Sequence, residues 1–142
     1  MRRATSLLEI VIAITLVGFI GSLAAPRISR WADRFAVRQA VEETAAFYNA
    51  ARFRALLRGS RVRIELRPDS LLAVFENVTD SVFLTRPGPA SNGVSLSASR
   101  LVVRILPNGV GAGGANTTLV FRRGLAAESL TTSRLGRLKR WR

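Results

Sequence analysis

The chain of 142 residues contains no cysteine and no histidine, and Lys139 is its single lysine. The absence of cysteine excludes a disulfide framework, a thiol nucleophile and a thiolate metal site. The absence of histidine removes the commonest general base and the commonest metal ligand. Glu42 and Glu43 are neighbours, so in a helix their side chains point to different sides and do not form an acid–base pair. We expect a protein without catalytic residues, metal ligands or cofactors.

Positive charge dominates the composition. Lysine and arginine number 22 against 9 acidic residues, which gives a formal net charge of +13. Such a surplus favours contact with nucleic acid, with anionic lipid headgroups or with acidic proteins. The charge alone does not select among these partners.

One long hydrophobic run lies near the N-terminus. Residues 10–25 carry no charge, and residues 7–25 approach the length of about 20 residues that a bilayer-spanning helix needs. Arg2 and Arg3 precede the run, and Glu9 lies at its edge, where an ionisable group is costly without a specific partner. A signal peptide cleaved near Ala24 and an uncleaved membrane anchor both explain the run, but neither explains Glu9.

The sequence ATSLLE at residues 4–9 resembles the cleavage and methylation motif of type IV prepilins. The resemblance implies a cut between Ala4 and Thr5 by a prepilin peptidase, followed by N-methylation of Thr5. Glu9 then becomes the fifth mature residue, as the motif requires, and Pro26 lies where pilin helices often carry a helix-bending proline. Alanine at position 4 and threonine at position 5 depart from the glycine and phenylalanine that are usual in the family.

The same resemblance implies a role for Glu9 in filament assembly. In this family the glutamate is thought to pair with the α-amino group of a neighbouring subunit, which here is the amine of Thr5. The pair sets the axial register of each incoming subunit. It also offsets part of the cost of burying a carboxylate in lipid.

A helical pattern continues from Pro26 to about residue 58, and Gly59 is a typical helix stop. Its apolar stripe predicts a face that packs on the rest of the domain. The stripe consists of Val37, Val41, Tyr48, Ala51 and Ala55.

A different face of this helix is basic. It carries Arg27, Arg30, Arg34 and Arg38. These residues either contact lipid phosphates or acidic faces of neighbouring subunits, or form a solvated face in which Arg38 pairs with Glu42.

Beyond Gly59 the pattern alternates with a period of two residues. Val62, Ile64 and Leu66 predict a half-buried strand, and a turn at 68–70 leads to a hairpin partner at 71–75. Further strands are predicted at 81–85, 94–96, 101–106, 117–121, 128–132 and 137–141. This spacing predicts an α+β fold, in which the long N-terminal helix packs against a C-terminal antiparallel β-sheet or sandwich.

The glycine-rich run at 109–114 has the glycine spacing of a dinucleotide-binding loop. It leads into a strand instead of a helix, however, and the nucleotide motif requires a helix N-terminus. We therefore expect a flexible hairpin loop.

The chain as a whole resembles the GspH/FimT group of minor pseudopilins and minor pilins. The resemblance rests on the helix end at 50–55, the strand at 61–66, a strand at 119–121, ILPNG at 105–109 and SRLGR at 133–137. It implies a leader peptide at 1–4, a membrane-spanning and filament-core half-helix at 5–25, an amphipathic half-helix at 26–58 and a periplasmic β domain at 59–142. The implied location is the bacterial inner membrane, crossed once, and then a filament.

The implied function is that of a minor pseudopilin near the tip of a type II secretion pseudopilus, which is a structural subunit and not an enzyme. Its implied partners are prepilin peptidase, other pilins or pseudopilins, the inner-membrane assembly platform and membrane lipid. The alternative is a FimT-like type IV minor pilin that binds DNA for natural transformation. A third class is a membrane-anchored binding module that never polymerises.

The basic C-terminal segment is the candidate site for DNA. It contains Arg134, Arg137, Lys139, Arg140 and Arg142, with Trp141 among them. Cations neutralise phosphates, and an exposed aromatic ring stacks on unpaired bases. Some FimT-type pilins are implicated in DNA uptake through a Gly-Arg-x-Arg element, and the sequence GRLK at 136–139 is similar. The alternative is an edge strand whose basic side chains discourage aggregation.

Overall fold

The computed structural model describes residues 7–77, 80–113 and 115–141, without the side chains of residues 23–26. One long helix, α1, spans Leu7–Arg58, and β-strands follow it. The chain divides after Ala32 into two compact units, Met1–Ala32 and Asp33–Arg142. The second unit contains the last part of α1 and all the described strands.

The first unit contains the apolar part of α1. By length and composition this stretch is able to cross a membrane. Its large apolar side chains are exposed, from Leu7 to Ile20. An apolar surface of this extent marks a site of contact with a membrane or with other proteins.

Helix α1 ends at Arg58, and Gly59 follows it as the helix stop that the sequence predicts. This glycine adopts a φ of +57°, a left-handed conformation that a side chain would strain. The amide of Gly59 donates to the carbonyl of Leu56 (3.4 Å), and the amide of Ser60 donates to the carbonyl of Ala55 (3.2 Å). These two bonds satisfy carbonyls that the helix end would otherwise leave open.

The strands confirm the predicted alternation and add one strand that the sequence pattern missed. They are β1 Val62–Leu66, β2 Ser70–Phe75, β3 Ser81–Pro87, β4 Ser95–Ala98, β5 Val102–Ile105, β6 Gly111–Ala112, β7 Thr117–Arg123, β8 Ala126–Thr132 and β9 Leu138–Trp141. A short 3-10 helix at Pro89–Asn92 separates β3 from β4.

The strands form two antiparallel sheets. The first has the order β3-β2-β1-β5-β6 and the second has the order β4-β7-β8-β9. In the first sheet, the predicted hairpin of β1 and β2 pairs Leu66 with Leu71 and Val62 with Phe75. The fold is therefore α+β, with a long N-terminal helix packed on antiparallel sheets.

Helix α1 and both sheets share one hydrophobic core. The predicted stripe of the helix is buried: Val37, Val41, Tyr48, Ala51 and Ala55 expose 1% of their surface or less. The sheets contribute alternate residues, among them Ile64, Phe75, Ile105 and Phe121. Burial on this scale stabilises the fold, because each large apolar side chain contributes roughly 1.5–3 kcal/mol.

The glycine-rich run forms a tighter structure than the expected loop. A turn closes where the amide of Gly109 donates to the carbonyl of Leu106 (2.8 Å). Gly111 then begins β6 and pairs with Ile105 of β5. A side chain at Gly111 would collide with Ala115, so close packing of the chain accounts for this glycine.

Candidate assembly and binding surfaces

The predicted assembly residues lie at the N-terminal end of the chain. Ala4 and Thr5 fall outside the described residues, so the cleavage and methylation site stays a prediction. Glu9 lies in the first turn of α1. Its side chain is exposed, and so are its apolar neighbours Leu8 and Ile10. An ionisable group beside apolar residues is costly in a membrane without a partner, so the pairing of Glu9 with a neighbouring subunit stays a prediction.

Polar groups inside the apolar part of α1 are satisfied within the helix. The hydroxyl of Thr15 donates to the carbonyl of Val11 (2.7 Å), and the hydroxyl of Ser22 donates to the carbonyl of Phe19 (2.7 Å). Such bonds allow serine and threonine to lie in a lipid-exposed helix. Pro26 lies within the bounds of α1, and because proline has no amide proton it cannot donate to the carbonyl four residues earlier.

The basic C-terminal segment folds as the edge strand β9. Its register pairs Leu138 with Thr132 and Arg140 with Leu130 of β8. Thr132 and Leu130 are buried on the inner side of the sheet. Because side chains alternate along a strand, Arg140 points inward, whereas Lys139 and Trp141 point outward.

Arg140 is held by two carboxylates from different elements. Its Nε donates to Glu128 of β8 (2.7 Å), its Nη1 donates to Glu42 of α1, and its Nη2 donates to the carbonyl of Arg38 (3.4 Å). Burial lowers the pKa of Arg140, but the hydrogen bonds that Arg140 donates to Glu42 and Glu128, together with the negative charges of these carboxylates, outweigh burial and raise this pKa above its ordinary value. Arg140 therefore ties β9 to β8 and to the helix.

The structure thereby separates the predicted DNA residues into two kinds. Arg140 is engaged inside the domain, whereas Arg134, Arg137 and Lys139 are exposed. None of these three forms an ion pair with any of the residues that the structure describes. The ammonium of Lys139 lies 3.8 Å from the centre of the Trp141 ring, which is a cation–π contact. Arg142 lies outside the described residues.

Arg52 organises the loop that carries the exposed cations, and sequence reasoning missed this role. Its Nε donates to the carbonyl of Gly109 (2.8 Å). Its Nη1 and Nη2 donate to the carbonyls of Gly136 (3.4 Å) and Leu135 (3.3 Å). The guanidinium packs directly against Gly136, where φ is +76° and no space remains for a Cβ. Partners more than fifty positions away leave no local signal in the sequence.

The basic face of α1 is exposed at each of its four positions, Arg27, Arg30, Arg34 and Arg38. The alternative pairing of Arg38 with Glu42 is not the one that the structure shows. Glu42 accepts from Arg140 instead, because β9 brings this guanidinium to the helix from across the domain. Arg38 thus contributes its backbone carbonyl to the same network, while its side chain is exposed.

Most acidic side chains of the first sheet are neutralised locally. Arg63 lies 2.8 Å from Asp80, 3.3 Å from Glu65 and 3.5 Å from Glu76. The hydrogen bond that Arg63 donates to Asp80 is the main cause that raises the pKa of Arg63 above its ordinary value, although burial lowers it. The arginines outside this network therefore carry the net positive charge.

Two crystal structures of a minor pilin have a similar fold. The type IV minor pilin FimU of Pseudomonas aeruginosa PAO1, in space group P21, superimposes with a TM-score of 0.63 at 16% identity, covering 75% of this chain and 88% of FimU. FimU in space group P65 gives a TM-score of 0.61 at 14% identity, covering 74% of this chain and 92% of FimU. At this level of identity the likeness establishes the fold alone.

The sequence gives a family as well as a fold. No curated protein matches the chain significantly. The sequence profile described as type II transport protein GspH matches residues 40–136. This match extends from the buried face of α1 through the first eight strands to the loop at Gly136, and it ends before β9. The chain therefore belongs to the GspH family and has the fold of a type IV pilin-like minor subunit.

Proposed function

We propose that this protein is a minor pseudopilin of a type II secretion system. It is made as a prepilin, crosses the bacterial inner membrane once and keeps its β domain in the periplasm. After prepilin peptidase cuts between Ala4 and Thr5, the assembly platform moves it from the membrane into a short filament. There it is a structural, non-catalytic subunit near the tip, in contact with other pseudopilins.

One observation carries this proposal. A GspH-family domain is preceded by a membrane-length apolar segment whose side chains are exposed and whose edge holds Glu9. A bilayer covers such a surface before assembly, and the apolar segments of other subunits cover it afterwards. A permanent anchor needs only the apolar segment. A filament subunit also needs a charged group that sets its axial register, and Glu9 supports this second role.

The proposal is tested by substituting Glu9. Glu9→Ala removes the carboxylate that pairs with the Thr5 amine of a neighbour, so the chain should insert into the membrane but disappear from the sheared filament fraction. Glu9→Asp keeps a carboxylate and serves as the matched control, with substantial assembly expected. Normal assembly of Glu9→Ala would refute the register role.

A second candidate function is DNA binding by a type IV minor pilin. It is favoured by the exposure of Arg134, Arg137 and Lys139 without ion-pair partners in the described part of the chain, and by the position of Trp141 beside Lys139. Arg140 is not included among the DNA contacts of this candidate, since Glu42 and Glu128 occupy its guanidinium.

The salt dependence of binding tests the second candidate. Loss of two phosphate contacts should reduce the slope of log affinity against log salt by about 2 for duplex DNA. We therefore expect this change for the double variant Arg137→Ala, Lys139→Ala. The control variant Arg61→Ala, Arg86→Ala also removes two exposed charges but lies on the other sheet, and it should leave most of the slope intact. Equal effects of the two variants would show that only net charge matters.

A further inference from the structure

The hairpin of β7 and β8 ends in a leucine that is almost completely exposed. Leu125 exposes 90% of its surface, the highest fraction among the large apolar residues that the structure describes. Gly124 has a φ of +54°, which suits the first central position of a two-residue type II′ turn. A polar residue would satisfy the turn equally well at position 125, so the fold itself gives no reason for leucine there.

Contacts along α1 fix the direction in which this tip points. Arg123, at the tip, forms an ion pair with Asp33 (3.0 Å). Farther along the hairpin and β9, Arg140 reaches Glu42, and the loop beyond β8 meets Arg52 through the carbonyl of Leu135. The second sheet thus follows the helix from residue 33 to residue 52. Its β7–β8 tip lies where the chain enters the domain from the apolar segment.

Contacts on two sides attach this tip to the rest of the domain. Arg123 also donates to the carbonyl of Asn92 (2.5 Å), which connects the tip to the short 3-10 helix. A Cβ at Gly124 would press against the carboxylate of Asp33. The hairpin is therefore attached to α1 and to the 3-10 helix, and Leu125 is exposed at its end.

The composition of this end of the domain matches a lipid interface. Besides Leu125, Phe35 is 58% exposed, and the side chains of Arg34 and Arg122 are exposed. Apolar side chains beside arginines bind the boundary between anionic headgroups and acyl chains, whereas an acidic residue would oppose it. The acidic side chain here, Asp33, is neutralised by Arg123.

We propose that Leu125 forms a membrane contact that rests on anionic lipid while the subunit waits for assembly, at an end of the domain that also exposes Phe35, Arg34 and Arg122. The inference rests on the membrane-anchored stage of the proposed function. Contact with lipid restricts how the domain is oriented against the membrane surface, so that the waiting subunit presents a restricted set of orientations to the filament. Extraction into the filament breaks this contact.

Single-cysteine labelling of the full-length chain tests this contact, because the native chain has no cysteine. Leu125→Cys and the control Leu135→Cys, which replaces a leucine 68% exposed near Arg52, are each labelled with a polarity-sensitive fluorophore. The chains are reconstituted in vesicles of phosphatidylcholine with phosphatidylglycerol, or of phosphatidylcholine alone. In anionic vesicles the label at 125 should be protected from iodide and quenched by a lipid-borne quencher. The label at 135 should be quenched by iodide and should not be quenched by the lipid-borne quencher.

Two further arms separate the alternatives. A label at Val17→Cys reports the membrane span: if it is open to iodide, the anchored stage of the proposed function fails. If it is protected while 125 and 135 are equally open to iodide, only the membrane contact is refuted. Protection of 125 that develops only as the protein-to-lipid ratio rises would also refute it and assign the tip to contact between subunits. Loss of protection in Arg34→Gln, Arg122→Gln would support the role of anionic lipid.

Discussion

Tyr48 places a polar hydroxyl group in an otherwise apolar core, and burial of this group has a free-energy cost. It is 1% exposed, and its hydroxyl has no hydrogen-bond partner among the described residues. Burial raises the pKa of Tyr48 above its ordinary value of 10.0, although the charge of Arg52 lowers it. The ring fills the core, and the hydroxyl adds a desolvation penalty.

Tyr48→Phe is therefore expected to stabilise the fold. Removing an unsatisfied buried hydroxyl while keeping the ring should raise the free energy of unfolding by about 1 kcal/mol at neutral pH. Thermal unfolding in detergent checks this, with Phe47→Leu as a control that alters the adjacent core side chain and should destabilise.

The raised pKa also sets a pH dependence. The folded state holds the Tyr48 proton more tightly than the unfolded state, so protonation of Tyr48 contributes to the free energy of unfolding. This contribution is complete below the unfolded pKa of 10.0 and is lost as pH rises through the folded value. Because the chain has one tyrosine, tyrosinate absorbance reports this group alone. Ionisation at pH 10 or below in the folded protein would contradict the assignment.

At the scale of elements, the alternation of apolar and polar residues predicted the strands well. It predicted poorly the contacts that join the strands to the rest of the domain. Val62, Ile64 and Leu66 alternate strictly, and β1 has the bounds and buried face expected from them. By contrast, β6 has two residues, Gly111 and Ala112. No periodic pattern exists over such a length, so only pairing with β5 identifies it as a strand.

The sequence of β9 already contains the signal that Arg140 faces inward. A period of two from Leu138 places Arg140 on the inner face, whereas the charge pattern alone predicts Arg140 as a DNA contact. The carboxylates that receive it, Glu42 and Glu128, lie far away in the sequence. Their convergence depends on the packing of α1 on the second sheet, which a local pattern does not encode.

The attachment of β9 leads to a prediction about this element. Arg140→Gln should lower the free energy of unfolding by about 1.5 kcal/mol, since hydrogen bonds to two charged groups are lost. Arg137→Gln, three positions away and exposed, should change it by no more than about 0.5 kcal/mol. Denaturant unfolding of both variants in detergent makes the comparison. Equal losses would mean that Arg140 is not the residue that secures β9.

At the scale of the whole molecule, the chain combines an apolar segment, a buried amphipathic helix face and an arginine-rich surface. The order of these parts could be predicted from the sequence, because each has its own periodicity or length. The sequence does not predict which charged side chains form ion pairs inside the domain and which are exposed. Of the five predicted DNA contacts, the structure engages Arg140 internally and leaves Arg134, Arg137 and Lys139 exposed.

The second unit, residues 33–142, has two ends with different chemistry. Leu125 and Phe35 lie where the chain enters the domain, whereas Arg134 and Arg137 lie in and beside the loop that Arg52 holds at the far end of α1. We expect lipid contact at the first end and contact with an acidic or nucleic-acid partner at the second. Such a division suits a subunit that first waits at a membrane and later stands in a filament.

The mass of the mature chain, purified from cells that assemble the filament, tests the central claim most directly. The account predicts a chain that begins at Thr5, lacks residues 1–4 and carries one added methyl group on its N-terminal amine. A mature chain that begins at Met1 would indicate a permanent anchor, and one that begins near Ala25 would indicate a cleaved signal peptide. Either of these two masses would contradict the assignment as a filament subunit.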